Sequence, residues 1–452
     1  MMDIQGKKVL VYGAGKSGIA AVGLLATVNT DIVLFDGNKD TDAEQVKKQL
    51  PKEINVSILV GEIPDRVRNT IEVVVLSPGV PTDLPEIVRF IDDGIPVIGE
   101  IELAYMFSKG SIIAVTGTNG KTTTTSLIGE ILKAHFKSSF VVGNIGIPYT
   151  QMVCKTKSNS VTVAEVSSFQ LETIKEFMPN VSLILNITPD HLNRHHTMEN
   201  YINAKLSITK NQGETETCIL NYEDEILRSR ANEINAKVKY FSSKNKIRDG
   251  IYLDGEKIIY NDGTRDIEVC KTSELKLLGV HNYENVMAAV MATIAIGVPL
   301  ETIVKVIKEF KSVEHRIEYV AEKYGVKYYN DSKGTNPDAA IKAVEAMVSP
   351  TLLIAGGYDK DSSYDEWIDS FGDKIKLLVL IGQTRDKIAK AARDKGFDKI
   401  IMADTFEEAI NICKDNAVEG DSVLLSPACA SWGMFKNYEE RGDIFKKIVN
   451  EL

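Results

Sequence analysis

Two glycine-bearing turns, each placed directly after an apolar run, hold the residues best suited to chemistry. Ile112–Thr116 leads into Gly117-Thr118-Asn119-Gly120-Lys121-Thr122-Thr123. Glycines in such a turn let successive backbone N–H groups cup phosphate oxygens. Lys121 would neutralise charge on the β- and γ-phosphates, and the Thr122 hydroxyl can ligate Mg²⁺. Val115 stands where the usual phosphate loop has its first glycine, so this is a short form. Strand, GxxGKTT and helix in that order predict a site for ATP or GTP. An earlier turn, Gly13-Ala14-Gly15-Lys16-Ser17-Gly18, follows Val9–Tyr12 and fits the dinucleotide fingerprint, with Asp36 closing the next strand where an acid meets a ribose hydroxyl. Taken alone, this turn reads as an NAD-dependent dehydrogenase, or as a tight strand–helix turn with no ligand. A hydride-transfer enzyme needs no ATP-type phosphate loop, which weakens the first of these.

The elements that must position these turns follow a repeating pattern. Short runs rich in Val, Ile and Leu alternate with amphipathic segments, the signature of parallel sheets with crossover helices. Strands are expected at Lys8–Tyr12, Ile32–Phe35, Val73–Leu76, Ile112–Thr116, Val161–Ala164, Leu183–Asn186, Leu352–Ala355, Leu377–Ile381 and Ser422–Leu425. Gly13, Gly117 and Gly356 each open one strand–turn–helix set. The expectation is an α/β protein of three domains: Rossmann-like over 1–98, a P-loop ATPase type with a mostly parallel sheet over 99–313, and Rossmann-like over 314–452. A chain of 452 residues is too long for one hydrophobic core. The net charge of -10 argues against a nucleic-acid binder with a broad basic surface. Apolar runs such as Leu377–Ile381 are too short to span a bilayer, and Met1 to Gln5 shows no signal-peptide core. Cysteines at 154, 218, 270, 413 and 429 form no CxxC pair, which suits a reducing compartment. A cytoplasmic protein is expected, without nucleic-acid or membrane partners.

The short loop GTNGKTT resembles the Mur ligase family, which includes the folylpolyglutamate synthases. Further stretches similar to that family's motifs follow in order. They are Ala164-Glu165-Val166-Ser167-Ser168-Phe169-Gln170-Leu171-Glu172, Asn186-Ile187-Thr188-Pro189-Asp190-His191-Leu192-Asn193-Arg194, and Tyr201-Ile202-Asn203-Ala204-Lys205. Gly279 to Asn285, His315-Arg316 and Asn330 to Pro337 complete the series. About a hundred residues precede the phosphate loop, unlike the folylpolyglutamate synthases, and the DNPR signature of the diaminopimelate-adding branch is absent. Ser77-Pro78-Gly79-Val80 and the stretch from Leu425 to Gly442 look like the D-glutamate-adding branch.

The resemblance implies an ATP- and Mg²⁺-dependent amide-bond ligase acting on UDP-N-acetylmuramoyl-L-alanine and D-glutamate, expected as a monomer. By the same resemblance, Lys121, Glu165, His191, Lys205, His315 and Arg316 would be catalytic. Gly117, Thr118, Asn119, Gly120, Lys121, Thr122, Thr123, Asn282, Asn285, Arg316 and Asp331 would bind ATP. Gly13, Gly15, Ser17, Gly18, Asp36, Ser77, Gly79 and Asn144 would bind the UDP-sugar, and Thr335, Lys360, Ser431 and Tyr438 the D-glutamate. Thr122, Glu165, His191 and Lys205 would hold two Mg²⁺ ions, Lys205 as a carbamate formed with CO₂. The residues alone give each a plainer reading. Glu165 reads as a helix N-terminal charge partner, Lys205 as a solvated helix face, and His315-Arg316 as a surface interdomain contact. Thr188 and Pro189 read as N-cap and first residue of a helix that would position His191. The family often has Asp directly after the paired glycine, whereas Tyr358 intervenes here before Asp359.

Overall fold

A computed structural model describes residues 3–51, 54–144, 146–311, 314–359 and 362–452, with the backbone alone at Asn193. Three sheets follow one another along the chain. In the first, every strand is parallel, in the order Val56–Val60, Asp31–Asp36, Lys8–Tyr12, Val73–Leu76 and Val97–Gly99. The strand order reverses between Lys8–Tyr12 and Val73–Leu76, so the turns after these two strands open at the same sheet edge, where such folds bind ligands.

The second sheet has nine strands. From one edge these are Ser139–Gly143, Val161–Glu165, Ser111–Thr116, Val181–Ile184, Thr217–Asn221 and Lys237–Ser242, all parallel. Gly250–Asp254, Lys257–Asn261 and Asp266–Lys271 then add an antiparallel meander. The central strands are apolar throughout because crossover helices bury both their faces. Five of the six residues in Ser111–Thr116 are buried, as are all five in Val161–Glu165. The meander went unpredicted because its charged, alternating residues give no long apolar run. The third sheet runs Glu318–Lys323, Val326–Asn330, Ser422–Leu425, Thr351–Gly356, Ile375–Ile381 and Ile400–Met402, antiparallel only in its first pair.

The chain divides into two compact units, residues 1–272 with 284–307, and residues 273–283 with 308–452. The first unit holds the first two sheets, and a single apolar cluster explains why they stay together. Val9, Leu25, Ile98, Ile101, Leu103, Ile112, Tyr149 and Val166 all belong to it, each nearly or wholly inaccessible. Burying aliphatic side chains of this kind contributes about 1.5–3 kcal/mol apiece. The expected break near residue 98 therefore runs through continuous core: Val97–Gly99 passes straight into the buried helix Glu100–Phe107. In the second unit the sheet carries separate apolar clusters, one around Leu353, Trp367 and Leu380, the other around Ile354, Val379 and Phe445. Three strand assignments match to the residue, and most others shift by one or two. Leu183–Asn186 is corrected to Val181–Ile184, since Leu185 and Asn186 turn their backbone groups onto Thr116 and Thr118. Among the described residues no disulfide joins any of the five cysteines, and no helix is long and apolar enough to cross a membrane.

Candidate active site

The phosphate loop is built by its glycines. Gly117 (φ 148°) and Gly120 (φ 83°) take conformations that strain any L side chain. A Cβ on Gly120 would also lie 2.3 Å from Asn285 Oδ1. Gly120 caps the helix Lys121–His135, so the loop ends on a helix N-terminus, a ready anion site. Asn186 braces the loop from below: its Oδ1 accepts from Asn119 N (2.8 Å), and its Nδ2 donates to Asn119 O (3.1 Å). Thr118 N donates to Asn186 O, while the Thr118 hydroxyl meets Thr188 O at 3.1 Å and the Tyr201 hydroxyl at 3.0 Å. Thr122 is half-buried and available; Thr123 is wholly buried with its hydroxyl unpartnered, so only its backbone N–H suits a phosphate.

Two lysines converge on one carbonyl. Lys121 Nζ donates to Gly117 O (2.8 Å) and Thr118 O (2.9 Å), and Lys205 Nζ donates to the same Gly117 O at 2.7 Å. Lys205 is 2% exposed, which corrects its reading as a solvated helix face. The helix Met198–Leu206 turns Lys205 inward, with its amine 4.6 Å from the Tyr201 ring centroid. Burial, and then the charge of Lys121, pull the Lys205 amine down to about 6. At neutral pH this lysine is a neutral amine.

Glu165 closes the strand Val161–Glu165 and is 2% exposed. Its Oε1 accepts from Asn144 Nδ2 (2.9 Å), whereas the buried Oε2 has no hydrogen-bond partner. An orphaned, buried carboxylate oxygen on the strand beside the phosphate-loop strand fits a cation ligand. It does not fit the plainer reading as a helix-end charge partner, because Ser167, not Glu165, caps the next helix. His191 is exposed and left-handed (φ 52°), with its ring 4.9 Å from that of Phe169. The expected helix start at Thr188 and Pro189 is wrong: the helix runs Leu192–His195 with His191 itself at the N-cap. Thr188 is instead tied to Thr118, which pulls the segment toward the phosphate loop.

At the first sheet's switch point, Gly13 (φ 99°) and Gly18 leave no room for a side chain. A Cβ on Gly18 would fall 1.8 Å from Gly13 O, and one on Gly13 would fall 2.8 Å from Ser77 Cβ. Ser77 Oγ donates to Gly13 O at 3.0 Å, which stitches the two turns together. Gly15 caps the helix Lys16–Ala26, Ser17 is half-buried in its first turn, and Gly79 has open space beside it. Asp36 is turned onto the protein: its oxygens accept from Ala14 N, Asn38 N and the Thr41 hydroxyl. It shapes the turn as well as facing it.

The second unit gathers its residues at the carboxyl ends of its own strands. Asp331 follows Val326–Asn330, is buried, and accepts from the Ser426 hydroxyl (2.7 Å) and Ile317 N (3.3 Å). Burial raises its carboxyl to about 7. His315 and Ile317 both have positive φ (64° and 45°), so the half-buried Arg316 sits in a strained bend, a feature that clusters at functional sites. His315 is buried and corrects the surface-contact reading: Asn330 Nδ2 donates to its Nδ1 at 3.0 Å, with Asp443 3.8 Å from its Nε2. Glu314, His315 and Asp443 have metal-like spacing, yet Lys446 lies 2.5 Å from Glu314 and 3.2 Å from Asp443 and supplies the cation. Thr335 is half-buried, Ser431 is buried, and Tyr438 opens the final helix with its ring 6.0 Å from His315. Asp359 pairs with Lys387, while Lys360 lies outside the described residues. Asn285 belongs to the first unit and accepts from the Thr124 hydroxyl; Asn282 belongs to the second and donates to Leu278 O (2.7 Å).

Sequence reasoning passed over several residues inside motifs it had marked. Glu172 accepts from Arg194 (2.7 Å) and Thr82 (3.2 Å) and lies 3.3 Å from His195, while Arg194 also donates to Val80 O. This cluster ties the turn after the fourth strand of the first sheet to the His191 segment. The signal was present in SSFQLE and DHLNRHH, but nothing in sequence says that the two meet.

Comparison with known proteins agrees with this arrangement. Residues 7–99 match the MurD-like N-terminal domain of Mur ligases, 115–293 the Mur ligase middle domain, and 315–429 the Mur ligase glutamate ligase domain. A protein of Lachnoclostridium phytofermentans named UDP-N-acetylmuramoylalanine--D-glutamate ligase is 57% identical over 100% of this chain and 99% of its own. The chain belongs to the Mur ligase family. A protein of Thermoanaerobacter pseudethanolicus with the same name is 47% identical over the whole of both chains. Two solved Mur ligases of Thermotoga maritima share the fold at TM-score 0.60. They are a UDP-N-acetylmuramate–alanine ligase (20% identical, 98% and 99% of the chains) and a MurF ligase with ADP (17% identical, 100% of both). Mur ligases have three domains, and the three sheets are theirs.

Proposed function

We propose that this chain joins D-glutamate to UDP-N-acetylmuramoyl-L-alanine with consumption of ATP, in peptidoglycan precursor synthesis. Full-length identity of 57% to a ligase of that name carries the reading. The γ-phosphoryl group passes to the L-alanyl carboxylate, giving an acyl phosphate and ADP. The D-glutamate amine then attacks the acyl carbon, and phosphate leaves from the tetrahedral intermediate. Catalysis is positioning and charge neutralisation. The loop from Gly117 to Thr123 holds the phosphates, and Lys121 offsets their charge.

Thr122, Glu165 and His191 would hold Mg²⁺, whose bound charge screens the phosphates from the incoming carboxylate. Glu165's orphaned Oε2 is the observation that fits this role. Lys205 would complete the ligand set as a carbamate. Its neutral amine attacks CO₂; a C–N bond forms, one C=O pair moves to oxygen, and nitrogen releases a proton. An ammonium there would repel a dication; a carbamate attracts it.

The turns at Gly13–Gly18 and Ser77–Gly79, with Asn144, would take the uridine diphosphate and sugar. Asn282, Asn285, Arg316 and Asp331 would take ATP, and His315 would hold Arg316. Thr335, Lys360, Ser431 and Tyr438 would take D-glutamate. The assignments place the UDP-sugar on residues 1–98, ATP on 99–313 and the amino acid on 314–452, in a cytoplasmic monomer. Titration with UDP-N-acetylmuramoyl-L-alanine and with NADH tests the first turn. Precursor binding without NADH binding supports the ligase; tight NADH binding without precursor binding would restore the dehydrogenase.

A further inference from the structure

Among the described residues of the second unit, Arg441 is the most deeply buried cation. It is 1% exposed, on the inner face of the helix Tyr438–Glu451. A guanidinium so placed normally meets a carboxylate, because burying an unpaired charge is strongly unfavourable. Here, among the described residues, no carboxylate oxygen lies within ion-pair distance. Its partners are neutral: Nε donates to Ser332 Oγ (2.9 Å), one terminal nitrogen to Cys429 O (3.2 Å), and the other to Ser332 O (2.8 Å). Burial lowers it to about 10, so it stays charged at neutral pH.

The three loops joined by this fork are those to which the amino acid was assigned. Ser332 lies three residues before Thr335, Cys429 lies two before Ser431, and Tyr438 lies one helical turn before Arg441 itself. Ser332 Oγ also donates to Tyr438 O at 2.8 Å, so one hydrogen-bonded chain runs through all three segments. A rigid planar fork with five donors is suited to such bridging, and lysine cannot reproduce it. Its charge, held in no direct ion pair and met only at longer range by the Asp331 carboxyl, adds a positive potential in a poorly solvated region.

We infer that Arg441 is a positioning residue that sets the amino-acid pocket of the second unit and biases it toward a dicarboxylate ligand. The inference rests on the reading that this pocket binds D-glutamate. The guanidinium holds Thr335, Ser431 and Tyr438 in register without touching the ligand. Its charge, only partly offset by Asp331, favours a side-chain carboxylate over a neutral amide of the same shape.

Steady-state kinetics of the full-length enzyme test this, with D-glutamate as substrate and D-glutamine as the uncharged competitor. In Arg441→Met, KM for D-glutamate should rise roughly tenfold or more, and its advantage over D-glutamine should shrink by a similar factor. KM for ATP and for the UDP-sugar should stay within about threefold. Arg441→Lys keeps the charge but loses the fork, so KM for D-glutamate should rise while the preference over D-glutamine persists. A melt followed by circular dichroism identifies a folded variant. If the Met variant does not fold, the Lys variant alone decides. An unchanged KM for D-glutamate in a folded variant, or an equal rise for all three substrates, would overturn the inference. Wild-type turnover that ignores D-glutamate would instead overturn the reading beneath it.

Discussion

Replacing Lys205 with Met should abolish ligation and yet make the protein more stable at neutral pH. Lys205 is 2% exposed and its amine is lowered to about 6, against an ordinary 10.5. Folding at pH 7.5 therefore strips a proton that the unfolded chain would keep. Three pH units separate 7.5 from 10.5, and each is worth about 1.4 kcal/mol, so the penalty is on the order of 4 kcal/mol. The sign follows from proton binding. Below about pH 6 both states hold the proton and the penalty is full. Between about 6 and 10.5 only the unfolded state holds it, so stability rises with pH as the penalty is relieved. Methionine fills a similar volume without charge, but it forfeits the hydrogen bond to Gly117 O, worth about 1 kcal/mol. Lys205→Met should thus be about 2–3 kcal/mol more stable than wild type at pH 7.5, with the difference shrinking by about 1.4 kcal/mol per pH unit toward pH 10. Urea unfolding in CO₂-free buffer, followed by circular dichroism at several pH values, reads both quantities. A variant less stable than wild type at pH 7.5, or a difference independent of pH, would refute the reasoning. An active Lys205→Arg enzyme would separately refute the carbamate, because guanidinium cannot take up CO₂.

Glu165→Gln should keep the bond to Asn144 but lower kcat roughly 10²-fold or more and raise the Mg²⁺ requirement; an ordinary Mg²⁺ titration curve would count against metal ligation. Gly18→Ala drives a Cβ to within 1.8 Å of Gly13 O and should remove UDP-sugar binding while leaving ATP binding intact, as calorimetry would report. Equal loss of both ligands would point to general misfolding instead. Glu102 accepts three backbone N–H groups, from Lys175 (2.9 Å), Glu176 (2.8 Å) and Phe177 (3.0 Å). Glu102→Gln turns an amide donor toward them, which should lower the urea midpoint by the equivalent of about 2–4 kcal/mol. An unchanged midpoint would deny those bonds their role.

The parallel strands and both phosphate-type turns were legible because each rests on local order: a buried apolar run, then glycines at positive φ. Lys205 shows where that stops. Its spacing on an amphipathic helix reads as solvated surface, and only the packing of Met198–Leu206 against the phosphate loop turns it inward. The start of the helix near His191 failed for a related reason. Thr188 has the right type for an N-cap, but its backbone N–H donates to the Thr118 hydroxyl 70 residues away. Asp36 reads as a ribose ligand from its place at a strand end, and its second task, bracing the turn that it faces, was not legible. Arg441 lies in a motif that had been marked for its neighbours. Its burial between Ser332 and Cys429 depends on strands far apart in sequence and adjacent in the sheet.

Phosphate release in the presence of ATP and Mg²⁺ tests the central claim most directly, measured with both partners and with each omitted in turn. The account predicts stoichiometric phosphate only when UDP-N-acetylmuramoyl-L-alanine and D-glutamate are both present, with a product heavier than the precursor by one glutamyl residue. Full-rate release without D-glutamate, or with another amino acid in its place, would contradict it.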